Sequence, residues 1–341
     1  MDAAAPAASP AAPGRPRITG IGDWSDRRAE LVLGALACLL LLLIGLMLAT
    51  VFAKGWPSFR ENGLAWFGSG GDVDQQLLDI FNSPANPDAY VYHLRAWPLI
   101  YGTALTTFGA VAVGLTFALF AAIFIVEFAP DRLRRVLEPV VRLLAAVPSV
   151  IYGLIGILVL APFVDGLVST ERKESVAFVV QLSGANISVA TLILTVMITP
   201  IMIAIIVDAL RAVPRAWTEG AAALGVNRWR VMWTISVRAA RPAIVAAVVL
   251  ATARALGEAI MLSMVSGSRG FAPNPLDGLT FFFEPVRPLA ATIVDNAEGL
   301  QVAPFGQTIY AFACVLLVSS IFLSVGGWLA KQPLRRYGIR P

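Results

Sequence analysis

Six runs of mostly apolar residues, near 31–53, 98–126, 140–164, 187–207, 242–265 and 306–330, constrain this chain more than any other feature. A helix needs about 20 such residues to cross a bilayer, and within the hydrocarbon only helices and closed barrels satisfy their backbone polar groups. The runs predict an all-α fold: a polytopic membrane protein with six transmembrane helices. Composition agrees, with 57% hydrophobic and 14% charged residues, where a soluble domain carries about 25% charged. Mean hydropathy is +0.75.

Lysines and arginines in the connections set the orientation. Eighteen of the 26 fall in the two tails, the second-to-third connection and the fourth-to-fifth; seven fall on the other side, and Arg254 is left inside a span. Both termini are expected in the cytoplasm. The expected organisation is a disordered cytoplasmic tail over 1–28, a first transmembrane helix over 29–53, an extracytoplasmic loop over 54–97, a five-helix core over 98–330 and a cytoplasmic tail over 331–341. A cleavable signal peptide competes for the first run, but its apolar region is normally about 7–15 residues, shorter than 31–53. The net charge of +4 follows from the arginine bias. It does not indicate nucleic-acid binding, because no basic cluster is interleaved with stacking aromatics. Cys38, Cys314 and the single His93 form no metal set. Trp56, Trp66 and Phe67, like Phe281, Phe282 and Phe283, suit chain lying at the membrane interface.

Arg254 and Glu258 lie four residues apart inside the run 242–265. An ionised side chain at that depth costs roughly 2.5–3.5 kcal/mol even on lenient scales, so a cavity, a partner charge or a substrate must compensate it. A polar pathway is one reading. A structural ion pair locking two spans is the other.

The segment 208–241 is too long for a simple turn. Pro214 can start a helix, Gly225 can end it and Asn227 can cap a second. Small residues from Gly220 to Ala223 allow close approach of another surface, with Trp217, Trp229, Met232 and Trp233 as apolar anchors beside Arg228 and Arg230. A docking surface and an amphipathic element on anionic lipid both fit.

Glu219-Gly220-Ala221-Ala222-Ala223-Leu224-Gly225, followed by Ile235-Ser236-Val237, resembles the cytoplasmic EAA loop of ABC importer permeases, with its spacing kept throughout. Gly220 replaces the first Ala of that pattern, Val237 its Leu and Arg238 its Pro. Leu144 to Gly153, with Pro148-Ser149, and Arg254-Ala-Leu-Gly257-Glu258 are similar to phosphate-specific transport permeases, most like PstC. The resemblance covers about 29–330 and implies an ABC type I importer permease fold in the bacterial inner membrane. It further implies a second, PstA-like permease, a dimeric nucleotide-binding ATPase and an extracytoplasmic phosphate-binding protein as partners. Glu219, Gly220, Ala221, Ala222, Leu224, Gly225, Trp217 and Arg228 become the ATPase-docking residues. Arg254 becomes the phosphate contact and Glu258 its counter-ion; Ser149 can offer a hydroxyl and Tyr152 can gate, although a plain kink at Pro148 fits that stretch equally. Losing the motif proline at Arg238 bears on how the second loop helix enters the fifth span.

None of Lys54, Lys173 and Lys331 follows a glycine, so the chain has no P-loop. No cofactor is expected in this chain, and ATP-Mg would bind the partner ATPase. A secondary anion transporter usually shows paired interrupted helices in repeated halves, and no such repeat is visible. An enzyme would need a nucleophile with a base or a paired-carboxylate site, which is not visible either. A sulfate, molybdate or phosphonate permease is the alternative within the same family. The outer segments carry more acids than bases, which fits delivery by a docked carrier better than an electrostatic funnel.

Overall fold

The structure, a computed structural model, describes residues 22–84, 86–169 and 182–334. Most of the 1–28 tail, Arg172, Lys173 and the end of the C-terminal tail lie outside the described residues. The chain divides at residue 50 into two units. The first is described by the opening turns of helix α1 (Gly22–Asn62), whose leucines from Leu31 to Leu46 are exposed, as a lipid-facing helix requires.

The second unit begins with the rest of α1, which runs past Pro57 to Asn62 and so extends beyond the expected boundary at residue 53. Asn62 explains where it stops: its amide donates to Ser58 O at 2.9 Å and to Tyr92 O, and its Oδ1 accepts from Leu94 N at 3.0 Å. The segment expected as a loop over 54–97 is therefore folded. Helix α2 (Val73–Phe81) starts at Asp72, whose side chain accepts from Asp74 N. Trp66, Leu77, Ile80, Leu94 and Leu99 bury against Leu289, Phe305 and Phe312 to form a cap. Trp66, expected at the interface, is fully buried there, with its indole donating to Ser58 Oγ at 3.3 Å.

Helix α3 (Trp97–Phe128) ends in a π-turn, where the Ala129 N–H reaches back to Phe124 O at 2.8 Å. Two elements follow where the sequence suggested one span over 140–164. Val147 precedes a proline and is held extended at ψ 131°, so α4 (Asp131–Ala146) stops there and α5 (Ser149–Leu167) starts afresh. Helix α4 buries no residue fully, although Leu137 and Val141 lean on the core. The third span is α5, and Pro148 sits at its N-cap instead of kinking it.

Helix α6 (Ile187–Arg211) is the centre of the bundle, with 61% of its apolar window buried, more than any other span. Asn186 caps it, accepting from Val189 N at 3.0 Å. It packs on α3 where Gly114 leaves room: an added Cβ would stand 2.8 Å from Met202 Cε. After α6 come α7 (Arg215–Ala223), α8 (Arg228–Leu256), a break, α9 (Ile260–Val265), α10 (Leu289–Asp295) and α11 (Phe305–Leu334). Six helices of the described residues are long and apolar enough to cross a membrane. No strand occurs among the described residues, only a parallel bridge between Gly267 and Val286.

The connection between α9 and α10 holds Glu284, which is buried at 2% exposure and accepts from Asn274 N at 3.1 Å. Burial pushes its carboxyl above the ordinary range; the Asn274 N–H opposes this, and nearby Asp277 adds to it. A raised folded-state value means that the protonated form is favoured on folding. This loop should therefore lose stability as pH rises from the ordinary carboxylate value through the raised one. Thermal unfolding of the purified chain between mildly acidic and neutral pH should show that loss, and Glu284→Gln should flatten it.

Candidate functional site

The site is organised by the interruption between α8 and α9. Gly257 N bonds Ala253 O at 3.3 Å and Glu258 N bonds Ala255 O at 3.3 Å, closing α8, while residues 257–259 leave the helix. Glu258 then turns its carboxylate onto the next helix, accepting from Met261 N at 3.2 Å. It is 8% exposed, a buried acid whose charge meets the N-terminal end of α9.

The sequence reading placed Arg254 and Glu258 one turn apart on a continuous helix, with Glu258 as the counter-ion. The structure corrects this. The break separates them, Glu258 is spent on the cap, and Arg254 has no carboxylate partner among the described residues. Arg254 is exposed in the last turn of α8, where the negative end of the helix dipole favours a cation. Tyr152, in the first turn of α5, is buried at 7% exposure and donates its hydroxyl to Leu144 O at 2.9 Å. Ser149 is half-buried in the same turn, three residues before Tyr152. Arg254 closes α8 just before the break, Ser149 and Tyr152 share the first turn of α5, which packs against α9, and Glu258 bridges the break through its bond from Met261 N.

Glycines hold α5 against α9. A Cβ on Gly153 would stand 3.2 Å from Met261 Cα, and one on Gly156 2.6 Å from Val265 Cγ1. Close helix packing explains both.

On the opposite side of the bundle from the cap, α7 begins after Pro214 and ends with Gly225 at φ +79°, where Val226 N reaches Ala221 O at 3.3 Å. Asn227 caps α8 by accepting from Arg230 N at 2.8 Å. Among the described residues this element is open: Glu219, Gly220, Ala222, Leu224, Gly225, Trp217 and Arg228 are exposed and Ala221 is half-buried. The other anchors read from sequence also pack within the fold, although Trp229 stays 48% exposed. Trp233 packs edge-on to Phe120, Trp229 packs beside Phe128, and Met232 is buried. With Arg238 in place of the motif proline, α8 runs unbroken from Arg228 through a π-turn at Met232–Ser236 into the fifth span.

Sequence reasoning missed two sets of ion pairs, because their members are distant in the chain. Arg287 pairs with Asp74 at 2.5 Å and with Asp295 at 3.6 Å, tying the cap to α10. Arg211 grips Glu138 with both of its terminal nitrogens, and Arg142 stands 3.7 Å from Asp208, tying α4 to the end of α6.

Residues 114–332 match the family described as the binding-protein-dependent transport system inner membrane component. The chain belongs to this family. It is a multi-pass inner-membrane permease, a transport component rather than an enzyme. Among curated proteins, the probable ABC transporter permease protein YqgH of Bacillus subtilis is 32% identical over 75% of this chain and 78% of its own. The phosphate transport system permease protein PstC 1 of Mycobacterium tuberculosis is 30% identical, covering 89% of this chain and 90% of that protein. The PstC of Pasteurella multocida is 28% identical over 87% and 89%. Among solved structures, a chain of the bacterial alginate ABC transporter, in complex with an alginate-bound periplasmic protein, superposes with a TM-score of 0.55 at 14% identity, covering 94% of this chain and 100% of that one. A chain of the inward-facing MetNI methionine ABC transporter does so at 0.50 and 14%, covering 69% and 93%. These two likenesses show the type I importer permease fold.

The contact between α5 and α9 in the permease supports one test. Gly153→Leu should force α5 away from the break and destabilise the purified chain by about 1–3 kcal/mol, read as a lowered unfolding temperature, whereas Gly220→Ala on open α7 should not lower it.

Proposed function

We propose that the chain is one permease subunit of an ATP-driven importer of inorganic phosphate, and that Arg254 is its anion contact. The observation that carries this is an exposed guanidinium, without a carboxylate partner among the described residues, at the break that ends the fifth membrane-spanning helix. A guanidinium stays charged at any relevant pH and presents a planar fork of donors matched to phosphate oxygens. Broken helices are tolerated at membrane depth where they are buried in protein or line a water-filled cavity. Phosphate is favoured over other anions by the PstC relatives, which align over most of their own length.

In this reading the arginine-rich side of the bundle is cytoplasmic, both termini included. The exposed face of α7 receives a dimeric ATPase, which binds ATP-Mg itself. A PstA-like permease supplies the other half of the path, and an extracytoplasmic binding protein delivers phosphate to the cap. Tyr152, engaged through its hydroxyl, acts as a gate in the first turn of α5, and Ser149 offers a further donor. Glu258 acts on the path by holding the break open through its cap on α9. A sulfate, molybdate or phosphonate permease is the competing reading, because Arg254 would accept any of these oxyanions. A secondary anion transporter would use the same broken helix without ATP.

Labelled phosphate uptake at limiting concentration separates these readings, in cells that lack their own high-affinity system and are supplied with the partner subunits. The intact chain should import phosphate in an ATP-dependent way that excess sulfate does not suppress. Arg254→Ala at equal membrane level should lower uptake at least about tenfold, equivalent to ~1.4 kcal/mol. Import of a different oxyanion would overturn the substrate, and uptake unchanged in Arg254→Ala would return Arg254 to a structural role. Ala222→Trp, on the exposed face of α7, should abolish co-purification of the ATPase and phosphate uptake together, without lowering the amount of permease in the membrane.

A further inference from the structure

Helix α4 touches both functional regions and belongs to neither. Near its start, Arg134 donates to the carbonyls that the π-turn of α3 leaves free, Ile125 O at 2.9 Å and Val126 O at 2.8 Å. In its middle, Glu138 receives both terminal nitrogens of Arg211, the Nη1 contact being 2.9 Å. Arg211 is the last residue of α6, three residues before the Pro214 that opens α7. At its end, the Leu144 carbonyl accepts the Tyr152 hydroxyl at 2.9 Å, and Val147-Pro148 forms a non-helical joint to α5. Only six residues, roughly 9 Å of helix, separate the grip on Arg211 from the grip on Tyr152.

Because no side chain of α4 is fully buried, these polar contacts at its two ends and centre, with the partial packing of Leu137 and Val141, fix its position. The Arg211 fork also holds the Glu138 carboxyl below its ordinary range, so the pair stays ionised at neutral pH. A short rigid helix held at both ends and jointed at a proline transmits a displacement.

We infer that α4 is a lever that carries movement of the α7 docking element to Tyr152 in the first turn of α5, with Glu138 and Arg211 as the positioning pair that engages it. The inference rests on the proposed docking of an ATPase on α7. When the ATPase shifts α7, the end of α6 moves with it, Glu138 follows Arg211, and α4 pulls or releases the Leu144 carbonyl on the Tyr152 hydroxyl. Spatial adjacency alone does not show coupling, so the test is a charge-swap cycle.

The assembled transporter is compared in membranes as wild type, Glu138→Arg, Arg211→Glu and the double exchange, each with Val150→Cys as a reporter at the start of α5 and with Cys38 and Cys314 replaced. Val150 is exposed. Labelling of this thiol by an aqueous maleimide is measured with and without ATP and vanadate, alongside ATP hydrolysis and labelled phosphate uptake. With the wild-type pair, trapping the nucleotide should change the labelling rate. Each single variant should keep the ATPase bound and hydrolysing but lose the labelling change, and its phosphate carried per ATP should fall at least about fivefold. The double exchange should restore both. A labelling response that survives in either single variant, or one absent from the wild-type pair, overturns the lever, and so does a double exchange that rescues neither measure. The labelling readout does not depend on which anion is carried, so a wild-type complex that responds but does not import phosphate would count against the substrate reading alone.

Discussion

A bilayer offers no hydrogen-bond partner to an interrupted helix, and the three residues between Leu256 and Ile260 are where this permease meets that constraint. The Gly257 and Glu258 N–H groups fold back onto Ala253 and Ala255, and the Glu258 side chain takes the free Met261 N–H. What remains is a guanidinium on the last turn of α8 whose charge is compensated by the end of its own helix and by no carboxylate among the described residues. The surrounding packing follows from this break. Gly153 and Gly156 bring α5 close enough to support α9, which places the first turn of α5, with Tyr152, against the helix that follows the break.

The two sides of the bundle are stiffened differently. On the cap side, an apolar cluster around Trp66 and Phe312 and the Arg287 pairs join residues far apart in the chain, giving a folded surface where a bare loop was expected. On the arginine side, α7 carries no buried residue and ends in a left-handed glycine, so its exposed face is shaped by its own backbone. Between them, α6 is the most buried span, and α4 lies along its end held by ion pairs. The bundle is thus divided between a well-buried centre and cap and a peripheral α4 without a fully buried side chain.

Much of this was legible in the sequence because it depends on local rules. Six apolar runs give six spanning helices, and Pro214, Gly225 and Asn227 mark the start, end and cap of the helices around the docking element. The family resemblance rested on contiguous motifs, and the match over 114–332 agrees with it. The misread features depend on a choice between two local options or on distant partners. Val147-Pro148 fits both a kinked span and two helices, and the extended conformation imposed on Val147 decides for two. Gly257 weakens a helix by about 1 kcal/mol without requiring it to end, so spacing alone made Glu258 a partner for Arg254 when its carboxylate accepts from Met261 N instead. Trp66 looked interfacial because its pocket is closed in part by Leu289, Phe305 and Phe312, more than 200 positions away. The grip of Arg211 on Glu138 spans 73 residues and left no trace in either local pattern.

The account stands on Arg254 facing water at the depth of the break. The most direct test is Arg254→Cys in a chain whose native cysteines are replaced, assembled with its partners in membranes and exposed to a charged, membrane-impermeant thiol reagent, with a lipid-soluble one as control. The account predicts modification by the charged reagent, and slower modification in the presence of the transported anion. Modification by the lipid-soluble reagent alone would put this position against lipid or protein, and would contradict a path lined by Arg254.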